Sequence, residues 1–147
     1  MEQTLVIIKP DGVKKRLVGE CLKRFEKKGF SIVWLKRMTF SKSFVKRFYS
    51  HLAPPRLTKK LFSAVVCYLS SGPVVAVVLE AGNAVKKARQ ITGPTDPSKA
   101  LRGTIRGDYA TDVLAVRAKQ GKACRNIIHA SGSPEEAKNE IRLVGKQ

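Results

Sequence analysis

A chain of 147 residues, 43% of them hydrophobic, is long enough to bury one core and too apolar to be disordered, so a single domain spanning 1–147 is expected. Twenty-nine Lys and Arg against 11 Asp and Glu leave a net charge of +18, which excludes little about fold but favours polyanionic partners, phosphorylated metabolites first and nucleic acid second. No apolar run approaches the ~20 residues of a membrane span, and Met1-Glu2-Gln3-Thr4 has no basic leader region, so a cytoplasmic protein without a membrane partner is expected.

Leu5-Val6-Ile7-Ile8 reads as a strand buried on both faces, ended by a turn at Lys9-Pro10-Asp11-Gly12. A lysine at the end of a buried strand is placed to meet a phosphate, or simply to reach water. Val18, Cys21, Leu22 and Phe25 share one helical face, with Gly29 as the stop. Phe30 to Met38 reads as a second strand. Ser41 caps a helix carrying Phe44, Val45, Phe48 and Tyr49, which Pro54-Pro55 ends. Leu61 to Leu69 forms another amphipathic helix, and Val74 to Leu79 is the cleanest strand of the chain.

Asn83 is expected to cap a short helix with Val85, Ala88 and Ile91 inward and Arg89 outward. From Gly93 to Gly107 the pattern fails, and a loop that long in a small domain is usually functional. Between Asp108 and Lys122, Val113, Leu114 and Val116 read as a strand edge or extended loop. Ile127-Ile128 reads as a last short strand. Ser133-Pro134-Glu135-Glu136 then starts a final helix with a Ser cap and Pro in the first turn. The order β-α-β-(α-α)-β-α-β-α implies an α+β, ferredoxin-like sandwich: a four-stranded antiparallel sheet covered by helices. Cys21, Cys67 and Cys124 lack C-x-x-C spacing and read as reduced, mostly buried thiols.

The chain has two histidines, His51 and His129. His129 lies in Arg125-Asn126-Ile127-Ile128-His129-Ala130-Ser131, among donors suited to an oxyanion; a hydrogen-bonded histidine ending a core strand is the plainer reading. Glu140, beyond the capped start of the last helix, can fold back onto the ring or pair at the surface with Arg142 or Lys138. Lys9, Arg89, Thr95, Arg106, Asn126 and His129 together supply three cations, two neutral donors and an imidazole. Phosphoryl transfer asks for such an inventory, because positioning and charge neutralisation carry most of its catalysis. No Walker loop or glycine-rich kinase loop is present. If phosphate is transferred, His129 is the strongest nucleophile.

Four segments, Lys9-Pro10-Asp11-Gly12-Val13, Ser71-Gly72-Pro73-Val74-Val75, Gly103-Thr104-Ile105-Arg106-Gly107-Asp108 and Asn126-Ile127-Ile128-His129-Ala130-Ser131, resemble the nucleoside diphosphate kinase family in order and over nearly the whole chain. The resemblance implies transfer of the γ-phosphate of a nucleoside triphosphate to a nucleoside diphosphate through phosphohistidine at His129, on Nδ1. It implies that Lys9 contacts the transferring phosphate and that Tyr49 packs beside the ring. Arg89, Thr95 and Arg106 would bind the terminal phosphates, Asn126 the sugar hydroxyl, and Glu140 with Ser131 would orient the imidazole. Mg2+ is expected on the nucleotide phosphates without direct protein ligands, and a homo-oligomer is expected.

The chain departs from the family pattern in places. Leu61-Phe62 stands where a Phe pair usually covers the base, a stacking surface that implies weak base selectivity. The segment Ala53 to Lys60 is longer than usual, and Asp108 to Arg125 is about ten residues longer. Arg102 stands where many members carry proline. The rival readings of the sequence are a basic nucleic-acid-binding protein and a catalytically silent scaffold of the same fold.

Overall fold

Leu5, Val6, Ile7 and Ile8 are wholly buried because β1 (Glu2–Ile8) runs through the interior of a sheet covered on both faces. The computed structural model describes residues 1–147. Its four strands, β1, β2 (Ser31–Thr39), β3 (Pro73–Ala81) and β4 (Ile128–Ala130), lie in the order β2-β3-β1-β4 with every pairing antiparallel. The antiparallel α+β sandwich expected from the element order is therefore the observed fold.

Alternation along the strands divides the core in two. Val6 and Ile8, with Val75, Val77 and Leu79, face the layer of α2 (Val18–Lys27) and α5 (Ala84–Thr92). Leu5 and Ile7, with Val74, Ala76 and Val78, face α3 (Lys42–Phe48), α4 (Lys59–Leu69) and α8 (Pro134–Val144). β2 is an edge strand with a register shift between Ile32 and Trp34, and Ile32, Val33 and Leu35 remain exposed there.

Ser41 and Ser133 cap their helices as expected, each accepting a hydrogen bond from a backbone N–H in the first turn, and Thr58 does the same for α4. Asn83 does not. It sits at the cap position with φ +53, its side chain makes no cap bond, and Glu2 accepts from Val85 N–H instead at 2.8 Å.

Other local expectations are corrected. The Lys9-Pro10-Asp11-Gly12 turn winds into a one-turn helix, α1 (Pro10–Lys14), with Pro10 at its first position. The loop after Gly93 contains a 3-10 turn at Pro97–Lys99 and leads into α6 (Ile105–Tyr109), capped by Thr104. The stretch read as a strand edge or extended loop contains a helix, α7 (Leu114–Lys119), and Val113, Leu114 and Val116 stay exposed. Cys21 is buried and Cys124 half-buried, but Cys67 is exposed on α4, so the thiols are not mostly buried. Burial among apolar neighbours pushes the Cys21 thiol up to about 12, and it is inert.

Candidate active site

His129 pairs with Ile7 across β1 and β4. Its neighbours Ile128 and Ala130 fill the core beneath α2 and α5, so alternation turns the imidazole to the other face. There it meets the edges of two rings from the end of α3. Phe48 lies 5.4 Å away at 76° and Tyr49 5.8 Å away at 83°, centroid to centroid. Tyr49 is thus beside the histidine as expected, and Phe48 is a neighbour that sequence pattern filed as core.

Glu140 arrives from the buried side of α8. Its Oε2 lies 2.9 Å from His129 Nε2 and accepts the Ser131 hydroxyl at 2.6 Å. Glu140 is not a surface glutamate; it is buried. Burial pushes its pKa up, but the hydrogen bonds and charge of His129, with the Ser131 bond, outweigh that and hold it below the ordinary carboxylate range. An ionised Glu140 requires Nε2 to carry the proton in the neutral ring. Nδ1, which makes no hydrogen bond, then presents its lone pair.

Cations gather beside this ring. Lys9 extends from the end of β1, and its Nζ donates to Asn126 Oδ1 at 2.6 Å. Asn126 Nδ2 in turn donates to the Thr95 carbonyl at 2.9 Å, so the amide ties the lysine to the long loop. Arg106 from α6 is buried and donates to the carbonyls of Asn126 at 3.2 Å, Gly93 at 3.0 Å and Ile128. The exposed Arg89 on α5 donates to the Ala130 carbonyl at 3.4 Å. None of the three cations forms an ion pair.

The cost of this arrangement appears in their titration. Burial, followed by the charge of Arg106, lowers Lys9 to about 7. Burial and then Arg89 lower Arg106 to about 10. Two buried cations, Lys9 and Arg106, with no ion-pair partner are unfavourable by themselves and are relieved by an anion. The Tyr49 hydroxyl is likewise buried without a partner.

A strained turn sets the geometry. Ile127 has φ +74, rare for a β-branched residue, and Ile128 N–H bonds back to Asn126 O at 2.8 Å to close a γ-turn. Ile127 is therefore not part of the strand that the apolar pair suggested. Such a conformation costs about 1–3 kcal/mol. Lys9 N–H to Ile127 O at 2.7 Å and Ile127 N–H to Asp11 Oδ2 at 3.1 Å hold it. A Cβ on Gly12 would lie 2.9 Å from Ile127 O, so only glycine permits this approach. Asp11 also accepts the Tyr68 hydroxyl, and the Tyr68 ring lies 5.7 Å from Lys9 Nζ. Asp11, Gly12 and Tyr68 are thus supports of the site that no spacing rule singled out.

The structure gathers His129, Glu140, Ser131, Tyr49, Lys9, Asn126 and Arg106, with Arg89 at the rim. Thr95 joins through its carbonyl only, its side chain being exposed. Arg125 does not join: its side chain lines a separate groove with Lys14 and Lys122. Phe62 and Leu61 are both half-buried at the start of α4, and Phe62 packs against the core that α3 and α4 cover. No group of three or more His, Cys, Asp or Glu side chains converges anywhere, so the donors suit phosphate oxygens and offer no metal cage.

The segment from Asp108 to Arg125 reaches both the long loop and the start of α4. Leu114 N–H donates to Asp96 in the long loop at 3.3 Å. Gly121, at φ +65, lies against the end of the Lys60 side chain at the start of α4.

A sequence profile described as "Nucleoside diphosphate kinase" matches residues 2–147. Nucleoside diphosphate kinase 1 of Nicotiana tabacum is 46% identical over 143 residues, 97% of this chain and 87% of that protein. The Archaeoglobus fulgidus nucleoside diphosphate kinase is 43% identical, again over 97% of this chain and 85% of its own length. Among solved structures, the Borrelia burgdorferi nucleoside-diphosphate kinase in a transition-state mimic with vanadate and ADP superposes with a TM-score of 0.90 at 31% identity, covering 97% of this chain and 85% of that one. The Aquifex aeolicus enzyme does so with a TM-score of 0.82 at 40% identity, covering 97% and 94%. With the profile spanning the chain from Glu2 to Gln147 and the fold matching these enzymes, the chain belongs to the nucleoside diphosphate kinase family.

Proposed function

We propose that this kinase works by ping-pong exchange through His129. The observation that carries the proposal is the 2.9 Å contact between Glu140 Oε2 and His129 Nε2, which leaves Nδ1 as the unoccupied ring nitrogen in a site that also holds Lys9, Arg106 and Arg89 without ion pairs. Nδ1 attacks the γ-phosphorus, the P–O bond to the leaving nucleoside diphosphate breaks, and the proton stays on Nε2 against Glu140. The positive charge that grows on the ring is met by that carboxylate. A second nucleoside diphosphate then takes the phosphoryl group by the reverse step. Lys9 and the unpartnered Tyr49 hydroxyl are the donors for the moving phosphoryl oxygens, and Arg89, Arg106 and Thr95 serve the terminal phosphates. Mg2+ brought in with the nucleotide would supply charge neutralisation at its phosphates.

Glu140→Gln tests the orienting role. By analogy with the groups that orient metal-bound histidines, kcat is expected to fall roughly 10- to 100-fold. KM should move little, since the phosphate donors lie elsewhere. Parent turnover, or lost binding with unchanged turnover, would refute the role.

Lys9 supplies a pH dependence whose sign is fixed by its lowered pKa. Above about 7 the free protein holds Lys9 increasingly neutral. A bound phosphate favours the ammonium form, so binding takes up a proton there. Affinity for a nucleoside diphosphate should fall as pH rises from 7 to 9. Calorimetry in two buffers of different ionisation enthalpy should show uptake rising from near zero at pH 6 toward about one proton at pH 8. Lys9→Arg, always charged, should abolish that uptake; equal uptake in the variant would assign it to another group.

Exposed Ile32, Val33 and Leu35 along the unpaired edge of β2 support assembly with further copies. The three unpaired thiols suit a reducing compartment, and the cytoplasm is the location we propose. No helix is long and apolar enough to cross a membrane.

A further inference from the structure

The long segment after Asp108 also helps to shape a second concavity. With α1 and α4 it forms a groove of about 1120 Å³, lined by Lys14 of α1 and Lys15 just after it, Tyr68 and Cys67 of α4, and Lys122 and Arg125 of the segment. The groove's carboxylates are spent internally. Asp112 pairs with Arg117 at 3.3 Å and accepts Arg125 N–H at 2.9 Å. Asp11 holds Tyr68 and Ile127. Lys14, Lys122 and Arg125 are exposed and have no carboxylate partner. The cations come from two distant parts of the chain and line one concavity, and Ser71 and Thr111 add hydroxyls there.

We propose that this groove binds the phosphate backbone of a single-stranded nucleic acid, apart from the nucleotide site. The reason is charge and shape. In a chain of +18, these cations are grouped in a concave track and left without internal partners. A flexible string of phosphates can run along such a track, whereas a rigid duplex touches only its rim. With one partly buried aromatic, Tyr68, in the lining, recognition is by backbone and carries little sequence preference.

The test uses the full chain and a fluorescent oligothymidylate, followed by anisotropy across a KCl series with excess ADP present to fill the nucleotide site. The parent should bind with a salt-dependent affinity that ADP does not abolish. The double variant Lys14→Glu/Lys122→Glu should bind at least tenfold more weakly, with a log–log salt slope shallower by about 1.4, two phosphate contacts at ~0.7 each. Phosphate exchange by this variant should match the parent, which shows it folded. Lys27→Glu/Lys28→Glu carries the same charge change into a second basic groove, beside α2 and α5 across the sheet, and should weaken binding less than about threefold. Equal loss in both double variants would show diffuse attraction and overturn the site. So would no binding by the parent, displacement by ADP, tighter binding of a duplex, or binding of inorganic polyphosphate alone.

Discussion

His129→Ala is expected to lower phosphate exchange by on the order of 10⁴-fold or more, the loss seen when a covalent nucleophile is removed from an otherwise intact site. No neighbour can substitute. Ser131 is wholly buried with its hydroxyl committed to Glu140, and the Tyr49 phenol is pushed well above its usual pKa by burial and by the Glu140 carboxylate. His51, the other imidazole, is exposed, so His51→Ala should retain activity within a fewfold and serves as the control. Coupled spectrophotometric exchange between ATP and a second nucleoside diphosphate reads both variants. Activity of His129→Ala within tenfold of the parent would place the nucleophile elsewhere.

The second large effect falls on stability. Arg106 is buried and satisfies the carbonyls of Gly93, Asn126 and Ile128, which lie on two separate segments. A lysine has the charge but not the planar fork, and its single ammonium cannot span the three acceptors. Arg106→Lys should therefore leave buried carbonyls unpaired and cost about 3–5 kcal/mol, a fall in Tm of about 10 °C for a chain of this size. Exchange should fall with it, because the γ-turn that places His129 is fastened by the same bonds. Circular dichroism melting measures the first effect, and a Tm within about 2 °C of the parent, less than ~1 kcal/mol for a chain of this size, would show the bonds to be dispensable.

The features legible in the sequence are those set by local pattern. β1 and β3 declared themselves as apolar runs, and Ser41 and Ser133 announced their helices through side-chain caps. Glu140 was reachable by counting from a fixed helix start, and its contact with His129 follows that reckoning. The features not legible depend on distant segments. Ile127 adopts a positive φ that its residue type opposes, because Lys9 and Asp11, more than a hundred positions away, hold it there. Asn83 takes a left-handed conformation and leaves the capping to Glu2 across the sheet. Val113, Leu114 and Val116 resemble a strand or loop, but the segment winds into α7, tied to the long loop by the bond from Leu114 N–H to Asp96. Arg125 neighbours Asn126 in sequence, yet its side chain lines the other groove.

The central claim is that Glu140 holds His129 Nε2 and so commits Nδ1 to phosphorus. It is tested most directly by the position of the phosphoryl group. Protein incubated with γ-labelled ATP and Mg2+, freed of nucleotide, then digested and mapped, locates the modified residue, and 31P NMR of the intact phosphoprotein distinguishes the two ring nitrogens. An acid-labile phosphate on Nδ1 of His129, discharged by added nucleoside diphosphate, is the predicted result. Phosphate on Nε2, on His51 or on a serine would contradict it.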